Sequence, residues 1–312
     1  MSKKKENIND NGKGTIKKVN NKKVNIIITC SLQKDFLQNR GIEGIIHSKP
    51  EDSLKVDYKT CEDQWVEHFK DHHPSNPEIE DFLSEIKPNE SSKNIDVSYH
   101  RFIKRYYHRV HVDYEEHERI WHKNGLEEFI NNLTTKKSRS NNDSKELDSA
   151  EPKPAYYYIH LRDWHDPMDE DQLEEFIAFG SHCIKGTPGA EFIDPLQENI
   201  RNNQTNTFII NSNSLSSFTD TNLDSVLNSI INNEGSEKNN VKIGVFGVIT
   251  NVKLSLLTFE LKIVYKFRNV FVCEDFSAGF NRKGHDEGID FIKKALHTPV
   301  LNKEQFIEKF EI

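Results

Sequence analysis

Residues 241–249 (VKIGVFGVI), 252–266 (VKLSLLTFELKIVYK) and 269–275 (NVFVCED) read as strand, helix and strand. The outer two are short apolar runs, the pattern of strands buried on both faces of a parallel sheet. The same alternation extends in both directions. Upstream lie a strand at 155–161 (AYYYIHL) ending at Arg162-Asp163-Trp164-His165, a helix at 169–180, a strand at 206–212 and a helix at 223–233. Downstream lies a helix at 284–296 (GHDEGIDFIKKAL). Far ahead of these, residues 24–30 (VNIIITC) form one more continuous apolar run, followed by the start of a loop, SLQKDFL. Strands alternating with helices of this length imply right-handed crossovers and a sheet covered on both faces. The expected fold is therefore an α/β, three-layer α/β/α sandwich with a mostly parallel central sheet, whose ligands bind at the carboxyl ends of the strands.

Between these parts the chain changes character. Residues 1–23 are charged, Asn-rich and without apolar periodicity, so a disordered basic tail is expected there. Residues 41–132 carry helical signals such as EDQWVEHFKDHH, and are expected to form a helical insertion between the two parts of the main domain, 24–40 and 155–312. Residues 133–154 contain almost no apolar side chain and read as a flexible linker or loop. The apolar fraction of 35% and mean hydropathy of −0.75 over 312 residues agree with a chain that spends many residues on polar segments. A formal charge of −8 gives no general reason to bind nucleic acid or an anionic membrane surface. The N-terminus lacks the apolar core of a signal peptide and no run approaches the ~20 apolar residues of a membrane span, so a cytoplasmic location is expected. Four scattered cysteines without a CxxC pair argue against a disulfide framework or zinc ribbon.

Several fragments occur in the order of one known family. Residues 179–196 (FGSHCIKGTPGAEFIDPL) resemble the nicotinamidase segment His-Cys-x-x-Gly-Thr-Pro-Gly-Ala-Glu/Asp-Phe and are the most specific match. Residues 26–37, 159–167 (IHLRDWHDP), 213–227 (NSLSSFTDTNLDSVL), 243–261 and 269–296 resemble the family's opening strand, metal loop, Ser-Ala-Phe stretch, nucleophile-bearing strand–helix pair and last strand–helix pair. On these residues the chain resembles the nicotinamidase/isochorismatase-like cysteine hydrolases. The resemblance implies an Asp after the first strand, a Lys before the Ser-Ala-Phe stretch and a Cys at the start of a helix. The thiolate attacks an amide or similar carbon, the carboxylate shuttles the proton and the ammonium steadies the charge. Carried onto this chain, the three positions read Ser31, Ser212 and Lys253. A serine neither holds a proton near neutral pH nor supplies positive charge, and an ammonium is no thiolate, so the standard mechanism is not expected.

The implied metal set is better kept. Asp163, His165 and His182 match the Asp-x-His pair and the His of His-Cys, a set suited to Zn²⁺ or Fe²⁺, and Asp171 stands where some members place a further His. The competing reading is that Asp163 caps a loop and the histidines hydrogen-bond within the fold. For Lys253, at a helix N-terminus that disfavours a cation, three readings stand: a solvated lysine at a disused site, contact with an anionic ligand, or a nucleophilic amine. Cys30 is expected to face away from Ser31 if the strand persists that far. Neither Cys30 nor Cys183 is expected to replace the nucleophile. HERIWH (117–122) looks like a zincin helix, but its histidines are five apart and would diverge by ~140° on an α-helix. RFIKRYYHR (101–109) interleaves basic and aromatic residues but runs into DYEEHE, which favours a helix packing on the main domain.

The functional expectation is a divergent isochorismatase-like protein without the Cys–Asp–Lys amidohydrolase activity, acting as a binding or scaffold protein. The alternative is a metal-dependent hydrolase of nicotinamidase-like amide substrates, with a metal on Asp163, His165 and His182 activating water and Lys253 stabilising charge. No organic cofactor is expected. The expected partners are a small-molecule ligand in the remnant pocket and a homo- or hetero-oligomer.

Overall fold

The fold is taken from a computed structural model in which residues 22–37, 112–133, 155–166, 169–172, 175, 178–179 and 182–312 are described. The expected tail over 1–21, the insertion over 41–111 with its basic-aromatic stretch, and the loop over 134–154 lie outside these residues.

Six strands form one parallel sheet: β1 (Val24–Cys30), β2 (Ala155–Asp163), β3 (Thr207–Ser212), β4 (Val241–Gly247), β5 (Asn269–Cys273) and β6 (Val300–Leu301), in the order β3-β2-β1-β4-β5-β6. The chain thus steps outward from β1 in one direction and then in the other, leaving a crevice between β1 and β4 at the carboxyl ends. β1 is the centre, and all seven of its residues are buried. Its register sets Cys30 between Leu161 and Gly247.

The residues of β1 alternate between two apolar layers. Ile26, Ile28 and Cys30 face α5 (Leu223–Asn233), α6 (Ser255–Phe259) with its π-helical flanks Thr250–Leu254 and Glu260–Val264, and the π-helical end of α7 (Arg282–Asp290). Ile27 faces α3 (Leu126–Asn132) and α8 (Lys303–Phe310), together with α1 (Lys34–Leu37) and α4 (Asp194–Asn202). This is the three-layer sandwich. Burying each large apolar side chain contributes roughly 1.5–3 kcal/mol, so the central strand anchors the fold. Among the described residues no helix is long and apolar enough to cross a membrane.

Residues 112–133 pack into the same core. Val112, Ile120, Leu126, Phe129 and Ile130 are buried there, Phe129 stacking on Phe276 with ring centroids 4.1 Å apart. Ahead of α3, α2 (Tyr114–Glu118) runs on as a π-helical turn, Arg119–Lys123. Arg119 donates to buried Glu116 (2.7 Å) and to the Ser277 carbonyl (2.6 Å). The π turn also changes the HERIWH geometry. The rings of His117 and His122 lie 6.4 Å apart instead of diverging as on an α-helix, and buried His117 stacks on Trp121 at 5.6 Å.

Two glycines hold the crevice in shape. Gly247 ends β4 at φ +133°, and a Cβ there would lie 2.1 Å from the Cys30 carbonyl oxygen. Gly288 lets α7 approach the Thr250–Asn251 backbone, where a Cβ would come within 2.7 Å of the Asn251 nitrogen.

Candidate functional site

β1 stops at Cys30, and Ser31 turns the chain at φ +49°, a conformation that non-glycine residues seldom adopt. Cys30 and Ser31 therefore do not point to opposite faces as expected. Their Sγ and Oγ atoms are 3.8 Å apart, because the strand does not persist through Ser31. Two residues on, buried Gln33 grips the end of β2. Its side-chain oxygen accepts from the Asp163 N–H (2.7 Å), and its amide donates to the carbonyls of Asp163 (2.7 Å) and Ala190 (2.9 Å). Gln33 is a positioning residue that the motif contains but that the sequence reading did not single out.

Register gathers the rest. Asp163 is paired with Ser212 at the end of β3. His165 forms a parallel bridge with Ile184, its N–H donating to the Cys183 carbonyl (3.0 Å), and this pairing brings the His182 ring to 4.6 Å from the His165 ring. Asp163, His165 and His182 are all buried, with ligand-type atoms within 4.8 Å of one another. Of the described residues these alone make such a group. Asp171 does not join them: it is exposed, and its N–H is turned to the Asp169 carboxylate (3.1 Å). The neighbours of His165 are instead Gln172, whose Oε1 lies 3.1 Å from Nδ1, and Glu175, whose Oε1 lies 3.7 Å from Nε2. The acidic run around Glu175 reads in sequence as a solvated helix face, which is why it was missed.

Lys253 is the largest departure from expectation. It is not solvated: only 3% of it is exposed. The π-helical turn Thr250–Leu254 aims it inward, anchored by the Thr250 N–H on Ala278 O (2.8 Å) and the Thr250 hydroxyl against His285 Nδ1 (3.0 Å). Its ammonium donates to Asp163 Oδ1 and to the Ser214 carbonyl (3.0 Å), and lies 3.4 Å from Ser212 Oγ. The buried ion pair brings Lys253 and Ser212, expected from the resemblance at the catalytic positions, together with Asp163, expected in the metal set. Ser31 is bonded elsewhere: its N–H donates to Leu161 O (3.0 Å).

Burial governs the protonation states. It lowers Lys253 to about 8, lowers His165 to about 3 with help from His182, and raises Glu175 to about 7. Burial raises the Cys30 thiol to about 11 against the pull of Lys253, and raises Cys183 and Cys273 as well. None of these three thiols is a ready thiolate. Ser212 is no substitute nucleophile, because its single hydroxyl proton is shared between the Ser214 (2.8 Å) and Ser216 (2.9 Å) carbonyls while the nearby amine is engaged by Asp163. The cavity at the site measures about 20 Å³ and is walled by Phe36, Phe179 and Phe280 beside the polar Glu175, His182 and Lys253. That is room for about one water or one ion.

By donor chemistry, Asp163, His165 and His182, with Glu175 nearby, form a divalent-metal set. As folded, the set does not suit the ion, because Asp163 already holds the Lys253 ammonium. A metal on the same carboxylate would sit beside that fixed charge.

No protein-family model matches the chain, and no curated protein does. Solved structures similar to it include a nicotinamidase from Bacillus subtilis (14% identity, 88% of this chain and 98% of that one, TM-score 0.49). Others are an isochorismatase-like hydrolase from Alkaliphilus metalliredigens (15%, 92% and 99%, TM-score 0.44) and a zinc complex of the pyrazinamidase of Pyrococcus horikoshii (16%, 89% and 98%, TM-score 0.40). At low identity, the chain is thus similar to isochorismatase-like hydrolase, nicotinamidase and pyrazinamidase structures.

Proposed function

We propose that this chain is a divergent isochorismatase-like protein that has given up the family's cysteine chemistry and acts by binding, as a scaffold, rather than by turnover. The observation that carries the reading is the buried Asp163–Lys253 ion pair. It puts an ammonium at the nucleophile position and occupies the carboxylate that a catalytic metal would need. Ser31 and Ser212 supply neither the proton shuttle nor the second cation, and the described thiols are held in their neutral form by burial. The cavity supports the same reading, since an aromatic amide needs several times its volume. Among the described residues, the cavity between Lys253, Glu175 and His182 is of water or single-ion size.

The metal-assisted hydrolase reading needs an open coordination position and an attacking water. The Lys253 ammonium and the size of the cavity both oppose it. The test is ammonia release from nicotinamide and simple aromatic amides by the purified full chain. No release above buffer is expected. Release that co-purifies with the chain and disappears in Lys253→Met would overturn the reading.

A further inference from the structure

The polar groups at this site present two carboxylates, Asp163 and Glu175, and two imidazoles, His165 and His182. Facing them is one cation, the Lys253 ammonium, brought in on a separate helix ninety residues along the chain and bound to Asp163 Oδ1. Its other partners, the Ser214 carbonyl and the Ser212 hydroxyl, are neutral oxygens. The local arrangement is that of an oxygen- and nitrogen-lined cation site whose cation is covalently part of the chain.

We propose that the Lys253 ammonium is a tethered replacement for a divalent ion, and that an ion-binding centre made by Asp163, His165 and His182 lies latent beneath it. Three observations carry this. The donor atoms lie within 4.8 Å of one another, on backbone held by the His165–Ile184 bridge and the Gln33 grip. The His165 Nδ1 edge is engaged by Gln172, which fixes its ring orientation, while Nε2 is turned towards Glu175. The cavity beside Lys253 is of single-ion size. An ion on Asp163 would meet the ammonium across a single carboxylate, where repulsion in a poorly hydrated site is strong. Removing that charge while keeping a side chain of similar length should open the centre. The inference does not depend on the absence of turnover, because binding alone is read.

The experiment is equilibrium dialysis of full-length, chelator-stripped protein against Zn²⁺ near neutral pH, with Co²⁺ absorption as a spectroscopic readout. Wild type and Lys253→Arg, which keeps the charge, are expected to take up no Zn²⁺ that depends on His182. Lys253→Met is expected to take up about one Zn²⁺ per chain, at least about a hundredfold more tightly than wild type, with tetrahedral Co²⁺ bands. Adding His182→Ala should abolish that uptake. Lys253→Gln serves the same purpose if the Met variant does not fold. His182-dependent Zn²⁺ uptake by wild type would overturn the proposal. So would folded Lys253→Met or Lys253→Gln protein that takes up no more Zn²⁺ than wild type.

Discussion

Removing one partner of the Asp163–Lys253 pair should destabilise the protein far more than removing both. The two side chains are 5% and 4% exposed, so solvent screens little of their interaction, and an orphaned charge has no water to turn to. In Asp163→Asn the orphan is Lys253, and its escape is to lose a proton. Relative to an unfolded lysine near 10.4, staying neutral at pH 7 costs about 4.6 kcal/mol, part of which burial already imposes on wild type, so the penalty relative to wild type lies below that figure. In Lys253→Met the orphan is Asp163, and taking up a proton against an unfolded value near 3.9 caps that penalty at about 4.2 kcal/mol. The double variant has no orphaned charge. It loses only the hydrogen bonds to Ser214 and Ser212, about 1–2 kcal/mol, leaving a coupling of several kcal/mol in the cycle. Urea unfolding with a chelator present measures all four proteins, each variant referred to wild type at the same pH. The pH dependence carries opposite signs in the two single variants. In Asp163→Asn the folded lysine titrates below its wild-type value of about 8, so the variant binds fewer protons than wild type and the penalty fades as pH rises through that value. In Lys253→Met the folded carboxyl titrates above its unfolded value, so the penalty is small near pH 4 and grows as pH rises. Single variants within about 1 kcal/mol of wild type, a double variant equal to the sum of the singles, or slopes of the same sign would refute the reasoning.

Glu175, raised from 4.5 to about 7 by burial, binds more protons folded than unfolded between those values, so its ionisation destabilises the fold as pH rises through that window. Glu175→Gln should therefore be near neutral at pH 4 and stabilising by up to about 3 kcal/mol at pH 8, measured by urea unfolding; an equal effect at both pH values would sink this account. Gly247→Ala should cost more than about 3 kcal/mol, because its Cβ would lie 2.1 Å from the Cys30 carbonyl at φ +133°. A thermal midpoint within a few degrees of wild type would contradict the close packing of β1 on β4.

The sheet was legible because central parallel strands need continuous apolar runs and no polar alternation. VNIIITC matches β1 residue for residue, and residues 223–233 match α5. The far edge was not read, since β6 has only two residues and too short a run to register as a strand. A signal existed beside it: Asn302 followed three residues later by Gln305 forms a capping box that starts α8. The start of α4 was likewise marked by Pro195 in its first turn. At the site, the family resemblance pointed to Asp163, His165 and His182, and backbone register brings them together. The ion pair of Lys253 was not legible, because no periodicity reports a side-chain contact between residues ninety positions apart. Glu175 was hidden within an acidic run, and the closeness of His117 to His122 depended on a π turn that residue spacing alone does not announce.

The position of the Lys253 ammonium, beside both Asp163 and Ser212, restricts what positions 212 and 253 can carry together. The resemblance places an ammonium at the end of the third strand and a thiol at the start of the helix after the fourth. In this chain the third-strand position is Ser212, yet an ammonium still lies 3.4 Å from its hydroxyl, supplied by Lys253 from the helix. A second lysine at position 212 would bring two buried ammoniums together, a repulsion on the order of 4 kcal/mol at 4 Å even with partial shielding. The Lys253 side chain and a lysine at 212 are therefore mutually exclusive. Restoring a thiol at 253 alone would remove the only ammonium that the described residues place on Asp163, leaving a carboxylate orphaned beside Glu175. The altered positions behave as one electrostatic unit. Its charges balance with Ser212 and Lys253 together, and a change at either position alone leaves a buried charge unmatched.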